Sequence, residues 1–283
     1  MSGAAPPEPP TAARPRSEPD GAVLRLRDAS LAYGARTLWQ GLDLDVRAGE
    51  LIAVLGANGT GKSSLLKVVL GQIPLTSGTA QLLGRPIRGG DRRIGYVPQQ
   101  TLADAGAPLR GRDLIALGVD GHRWGIPLPS RRRRAAVDEL VAAVHAEHTA
   151  SRPLGRLSGG EQQRIRIAQA LAGEPRLLLL DEPLLSLDLA RQRAISQLVD
   201  ESRRRRDLGV LFVTHDINPV LDVVDRVLYL AGGRFRIGTP DEVFRSEVLS
   251  ELYGAPVEVL RSRGRLIVAG APESPHHAEE ASA

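Results

Sequence analysis

Apolar and polar residues alternate in Val23-Leu24-Arg25-Leu26-Arg27 and again in Leu42-Asp43-Leu44-Asp45-Val46, the pattern of strands with one face on a core and the other in water. The start of the chain therefore predicts half-exposed antiparallel strands. Three later runs, Leu51–Leu55, Leu177–Leu180 and Gly209–Val213, do not alternate. Unbroken apolar runs of this length suit strands covered on both faces. Each leads into a polar or glycine-rich turn and then a helical spacing, which predicts a parallel α/β sheet. From about Thr101 to Gly155 the strand signal disappears, and arginine- and alanine-rich text such as residues 130–148 takes helical spacing. This predicts a helical insertion, within a helical subdomain of about residues 101–172. In Thr239-Pro240-Asp241-Glu242 a threonine N-cap, a proline at the first helical position and a glutamate three residues after the cap predict a helix running to about Tyr253. A strand pair, Val257–Leu260 with Arg265–Val268, is expected to close the fold. There is no solenoid-type repeat.

Composition sharpens this outline. The 283 residues, 42% apolar, suffice for a large buried core, which excludes disorder for the bulk of the chain. Residues 1–20, with six prolines, and 269–283 hold too little apolar matter to offset the entropy of ordering. Both read as disordered tails around a core of residues 21–268. The net charge is +4, and both tails carry an acidic excess, so the core is more basic than the whole. Of the 37 basic residues only Lys62 and Lys67 are lysines. The absence of cysteine excludes a disulfide framework, a thiolate nucleophile and a cysteine metal site. The N-terminus lacks the apolar centre of a secretory signal, and no apolar run approaches the roughly 20 residues that cross a bilayer, so a soluble chain is expected.

Gly56-Ala57-Asn58-Gly59-Thr60-Gly61-Lys62-Ser63 fits G-x-x-x-x-G-K-[ST] between the buried strand Leu51–Leu55 and a predicted helix over Ser63–Leu70. Phosphate oxygens need close backbone approach. Glycines permit the turn and leave a row of N–H donors open, while the helix N-terminus adds partial positive charge. Lys62 offers a compact ammonium to the β- and γ-phosphates, and Ser63 a hydroxyl to Mg²⁺. Ser64, the next residue, is grouped with this loop. A nucleotide and Mg²⁺ are the expected ligands of this loop.

A second motif lies about 100 residues downstream. Leu157-Ser158-Gly159-Gly160-Glu161-Gln162-Gln163-Arg164 resembles the signature of the ABC (ATP-binding cassette) ATPases, a likeness that covers about residues 23–240. Taken alone, Ser158 with Glu161 is also an ordinary capping box. The resemblance implies a P-loop NTPase of ABC type: a RecA-like core sheet, an antiparallel β subdomain and a helical insertion. It further implies that Ser158, Gly159, Gly160 and Glu161 complete the nucleotide site of a second subunit in a head-to-tail homodimer. The other family motifs follow in order. Leu177-Leu178-Leu179-Leu180-Asp181-Glu182 resembles the Walker B strand, with Asp181 toward Mg²⁺ and Glu182 as general base for the attacking water. Four leucines force that strand into the core and aim its end at the edge where parallel sheets bind ligands. By resemblance alone, Gln99 is the Q-loop glutamine that touches Mg²⁺ and water, His215 the switch histidine at the γ-phosphate, and Asp188 the D-loop aspartate at the dimer interface. Tyr33 stands where the family places a ring on adenine; strand packing is its alternative. Ala57 and Leu184 depart from the family's usual proline and threonine, and neither position supplies a phosphate-contacting group. An active ATPase is expected.

The same resemblance implies what hydrolysis drives. Closure on ATP and opening after hydrolysis would move a separate transmembrane permease, docked in a groove lined by the segment after Gln99 that includes residues 108–114. An extracytoplasmic solute-binding protein would act indirectly, and this chain would lie at the cytoplasmic face of the membrane. Its Asp181–Asp188 segment and short length look like the ATPases of zinc or manganese uptake, with iron-chelate importers close behind. A soluble ABC ATPase acting on nucleic acid or ribosomes would explain the runs Arg131–Arg134 and Arg203–Arg206. The chain shows neither two cassettes nor aromatic interleaving, so these arginines are expected to be solvated helix faces near anionic lipid, and no nucleic acid is expected. His145 and His148 read as one helix face in water, and His276-His277 as an inert patch of tail.

Overall fold

The computed structural model describes residues 21–99, 109–121 and 130–270. The segments expected to be tails lie outside them, except that Ala269 still belongs to a strand and Gly270 follows it. His276 and His277, and residues 100–108 of the expected permease groove, also fall outside.

The alternating runs fold as expected, and further. They become β1 (Ala22–Tyr33) and β2 (Arg36–Arg47), which pair antiparallel. Together with β4 (Ser77–Leu82) and β5 (Arg85–Pro86) they form a four-stranded sheet in the order β2-β1-β4-β5. The unbroken runs become β3 (Leu51–Gly56), β7 (Leu177–Asp181) and β8 (Gly209–Val213), with β3 and β7 each parallel to β8. Sequence patterning alone did not single out β6 (Ile94–Val97), β9 (Arg226–Ala231) or β10 (Arg234–Gly238), which complete a six-stranded sheet ordered β10-β9-β3-β8-β7-β6.

The absence of alternation in β7 has a direct structural cause. Leu177 and Leu179 pack into a core shared with the antiparallel sheet and with α1 (Lys62–Val69), whereas Leu178 and Leu180 pack into a second core on the opposite face. Ile52 and Val54 of β3 likewise face the first core, and Leu51, Ala53 and Leu55 the second. Leu177–Leu180 and Leu51–Leu55 are removed from water on both faces, so each of these positions is apolar.

The second core is closed by helices. The helical region contains α2 (Gly111–Asp120), α3 (Arg131–Ala143) and α4 (Gly159–Leu171). α5 (Leu189–Arg206) connects β7 to β8. Two expectations need correction here. His145 and His148 do not share a helix: α3 ends at Ala143, and His145 turns the chain with φ 53°. The second arginine run is not uniformly solvated, because Arg203 is buried at the end of α5 and held by Asp200 and Asp225.

The helix predicted from Thr239 to Tyr253 is two, α6 (Pro240–Val243) and α7 (Ser246–Tyr253). The capping box of Thr239 and Glu242 is present. The break falls at Phe244, which is buried and packs edge-on against Tyr229 with centroids 6.0 Å apart. A final hairpin of β11 (Glu258–Ser262) and β12 (Arg265–Ala269) follows.

Candidate active site

Strand order brings the chemistry to one edge. β8 lies between β3 and β7 in the parallel sheet, so the loops that leave the carboxyl ends of these three strands meet there. Out of β3 comes the phosphate loop. Its first glycine, Gly56, has φ 146°, and a Cβ there would meet the Leu230 carbonyl oxygen at 2.3 Å. Its last, Gly61, has φ 98° and lies directly over Trp39, where a Cβ would be 3.0 Å from the indole. Only glycine fits either place. Between them Ala57, Asn58 and Gly59 form the turn, and the Thr60 hydroxyl donates to the Ala57 carbonyl at 2.9 Å. Gly61 caps α1 without a side-chain hydrogen bond, so the first amides of the helix point into the loop as anion donors.

Lys62 is buried, and its Nζ donates to the carbonyls of Gly56 and Ala57 at 2.7 and 3.1 Å. Burial pushes its pKa down, while the carboxylates of Glu182 and Asp181 pull the other way. Ser63 Oγ donates to Asp181 Oδ1 at 3.3 Å, and Ser64 is the next residue of the same helix. Burial pushes the Asp181 carboxyl up, as does neighbouring Glu182, against the pull of the Ser63 hydroxyl and the two lysines.

Glu182 leaves β7 in the left-handed region, φ 49°, a strained conformation for a side chain of this size. Its amide donates to Val213 at the end of β8 with a length of 3.1 Å. Its carboxylate Oε2 lies 2.8 Å from Nδ1 of His215, which follows β8. Gln99 is exposed two residues past Val97, the strand partner of Leu180.

Tyr33 is 52% exposed at the end of β1, so it is not a packing residue of that strand. Its cross-strand partner Arg36 donates from Nη2 to the Gly59 carbonyl at 2.9 Å. This ties the β1–β2 turn to the phosphate loop. Sequence reading missed Arg36, because nothing in the local text says that a hairpin arginine reaches a loop 23 residues away.

The signature residues are elsewhere. Ser158 and Glu161 form the reciprocal capping box at the start of α4, with the Ser158 amide donating to Glu161 Oε2 at 2.7 Å; that bond holds the Glu161 carboxyl below the ordinary range. Among the described residues no hydrogen bond joins this turn to the phosphate loop. Gly159 instead abuts Leu187 and Gly160 the stem of Arg191. Asp188 is exposed and caps α5, accepting from the Arg191 amide at 2.9 Å. The signature turn and the Asp188 turn are therefore packed side by side. Among the described residues there is no cluster of three or more histidine, aspartate or glutamate side chains placed to hold a metal, and no helix is long and apolar enough to cross a membrane.

Comparison with known proteins agrees with this geometry. Residues 39–185 match the ABC transporter family. The zinc transport system ATP-binding protein TroB of Treponema pallidum (strain Nichols) is 33% identical over 83% of this chain and 88% of its own length. The zinc import ATP-binding protein ZnuC 1 of Hahella chejuensis (strain KCTC 2396) is 35% identical over 82% and 84%. Among solved structures, an ABC transporter described as of metal-chelate type, in an inward-facing conformation, superposes with a TM-score of 0.74 at 28% identity, covering 87% of this chain and 96% of that one. The cbiO1 protein of Clostridium perfringens, part of the cbiONQ transporter complex, gives 0.71 at 27% identity over 82% and 94%. A phosphate loop at the end of β3, an acidic pair at the end of β7 and these relatives lead to one conclusion: the chain is an ATPase that belongs to the ABC transporter family.

Proposed function

We propose that this chain is the ATP-hydrolysing subunit of a divalent-metal importer for zinc or manganese, working as a homodimer on a separate permease at the cytoplasmic face of the membrane. The catalytic unit is the stretch of about residues 21–268. The observation that carries the hydrolytic part is the Glu182–His215 pair, 2.8 Å apart at the mouth of the phosphate loop. The metal cargo rests on two relatives at 33% and 35% identity that are named for zinc. The metal-chelate type neighbour at 28% favours an iron-chelate importer as the second reading.

In this mechanism the loop amides of Gly56–Gly61 and the N-terminus of α1 bind the phosphates, and Lys62 turns its ammonium from the loop carbonyls to the β- and γ-phosphates. Tyr33 takes the adenine. Glu182 accepts the proton of the attacking water, and His215 holds the Glu182 carboxylate in place and contacts the γ-phosphate. Ser158, Gly159, Gly160 and Glu161, with Asp188, close the site of the other subunit. Asp181 and Ser63 offer the hard oxygen donors that Mg²⁺ takes, and a cation there relieves the cost of burying the Asp181 charge, so the residues fit this ion; Gln99 would join them. Mg²⁺ when bound offsets charge on the β- and γ-phosphates.

The test is purification from membranes followed by reconstitution. Co-purification with a multispan membrane protein, and ATPase stimulation by zinc or manganese with its binding protein, is the expected result. Stimulation by a ferric chelate instead would select the second reading. Tight, salt-sensitive RNA association without a membrane fraction would overturn both.

A further inference from the structure

The turn that carries His215 is fastened at both ends. On one side the Thr214 amide donates to Val54 of β3 at 3.1 Å, and the buried Thr214 hydroxyl donates to the Asp216 carbonyl at 3.0 Å. On the other side Asp216 Oδ1 accepts from both the amide and the side-chain Nδ2 of Asn218, at 2.9 and 2.8 Å. Asn218 then reaches 48 residues along the chain: Nδ2 donates to the Leu266 carbonyl at 3.0 Å, and Oδ1 accepts from the Leu266 amide at 2.8 Å. A side-chain amide here does the work of a neighbouring strand, satisfying the outward N–H and C=O of edge strand β12. Both hydrogens of Nδ2 are used, so the position of Asn218 is over-determined. A cleft lined by Leu189, Gln192, Arg193, Asn218 and Arg263 opens beside it, where the hairpin meets the first turn of α5, next to Asp188.

We infer that Asn218 is a positioning residue for hydrolysis, which locks the His215 turn to the C-terminal hairpin and makes that hairpin a working part of the catalytic switch. The inference rests on the reading of His215 given above. Two neighbours of the histidine are held by different elements: Thr214 by β3, which carries the phosphate loop, and Asp216, through Asn218, by β12 of the C-terminal hairpin. With both fastened, His215 presents Nδ1 to Glu182 in a single arrangement. With Asn218 truncated, the turn keeps its β3 anchor and loses the other, and a misplacement of about 1 Å at a catalytic group costs turnover far more than it costs binding.

The experiment is the steady-state ATPase of the full chain carrying Asn218→Ala, with nucleotide affinity and hydrogen exchange at the Leu266 amide measured alongside, and His215→Ala as reference. The expected result is kcat lower by about 10- to 100-fold, ATP affinity within about twofold of wild type, and loss of protection at Leu266. Wild-type kcat in Asn218→Ala while His215→Ala is inactive overturns the inference and leaves the reading of His215 standing. Wild-type kcat in His215→Ala overturns that reading itself. A parallel loss of ATP affinity and of folded protein would mark a purely structural role and overturn the inference. Asn218→Asp keeps the acceptor for Leu266 and loses both donated bonds, so it must show the same loss of kcat at unchanged affinity. Wild-type turnover in Asn218→Asp overturns the inference even if Asn218→Ala does not fold.

Discussion

Glu182 and His215 face each other across the end of the sheet, with carboxylate Oε2 and imidazole Nδ1 2.8 Å apart, although 33 residues separate them in the chain. The contact exists because β7 and β8 are parallel neighbours, so that Asp181 pairs with Val213 and the next residues of both strands emerge together. Glu182→Gln keeps the size of the side chain and removes its basicity. It is expected to retain ATP affinity while kcat falls by about 10²–10⁴-fold, and to accumulate an ATP-bound dimer on size-exclusion chromatography. Turnover within a few-fold of wild type would rule Glu182 out as the base.

Asp181 gives a pH prediction. Its folded-state pKa is raised, chiefly by burial. Its contribution to stability is therefore fully present below the ordinary carboxylate value and is lost as pH rises through the raised one. Asp181→Asn removes that loss, so in nucleotide-free protein the variant should melt a few degrees above wild type at pH 7.5, with the gap closing toward pH 4. Magnesium-dependent stabilisation by ATP should be reduced at the same time. A variant that melts below wild type at pH 7.5 would contradict the assignment of burial as the dominant cause.

The separation of the signature turn from the phosphate loop predicts complementation. Lys62→Ala and Ser158→Arg chains should each be inactive alone. In a mixed head-to-tail dimer one site collects both lesions and the other collects neither. Mixing equal amounts should then restore about a quarter of wild-type turnover, half the dimers being mixed and each keeping one of two sites. No recovery on mixing would mean that each protomer uses its own Ser158.

Arg203 joins parts of the chain far from the nucleotide edge. It donates to Asp200 Oδ1 at 2.8 Å, to Asp225 Oδ2 at 2.6 Å, to the Val223 carbonyl at 2.9 Å and to the Gly49 carbonyl, and Asp225 in turn accepts from the Leu51 amide at 2.7 Å. Arg203→Ala strands these acceptors, but Asp225 is partly solvated, so the cost should fall at the lower end for buried pairs, about 3 kcal/mol. Urea denaturation measures it. ATP affinity per folded molecule should be unchanged, since the network meets β3 at its opposite end from the phosphate loop.

What sequence could and could not carry is visible in single residues. Leu177–Leu180 announced a strand covered on both faces, and the two cores that receive alternate leucines are the reason. Gly56 and Gly61 of the phosphate loop were legible as glycines of a required turn, and in the fold each meets an obstacle that a side chain would strike, the Leu230 carbonyl and the Trp39 ring. By contrast the helix break at Phe244 left no local mark: Phe244, Val248 and Leu252 keep an i, i+4, i+8 spacing that one continuous helix would also show, while in the fold Phe244 turns inward against the ring of Tyr229. Arg36 and Asn218 were illegible for a related reason. Their partners, Gly59 and Leu266, become neighbours only after the sheets have formed, and ordinary polar residues carry no periodic signal of such a reach.

The scarcity of lysine has a practical side. Amine-selective reagents will find only two side-chain targets in the whole protein, Lys62 and Lys67, and both stand on α1. Lys67 is exposed, while Lys62 is covered and its Nζ is held by the Gly56 and Ala57 carbonyls. An acylating probe is therefore expected to label Lys67 readily and Lys62 slowly, and nucleotide bound in the loop to shield the second alone. The chain supplies its own internal standard, and the ratio of the two adducts in a mass spectrum becomes a direct occupancy gauge for the phosphate loop, with no engineered tag.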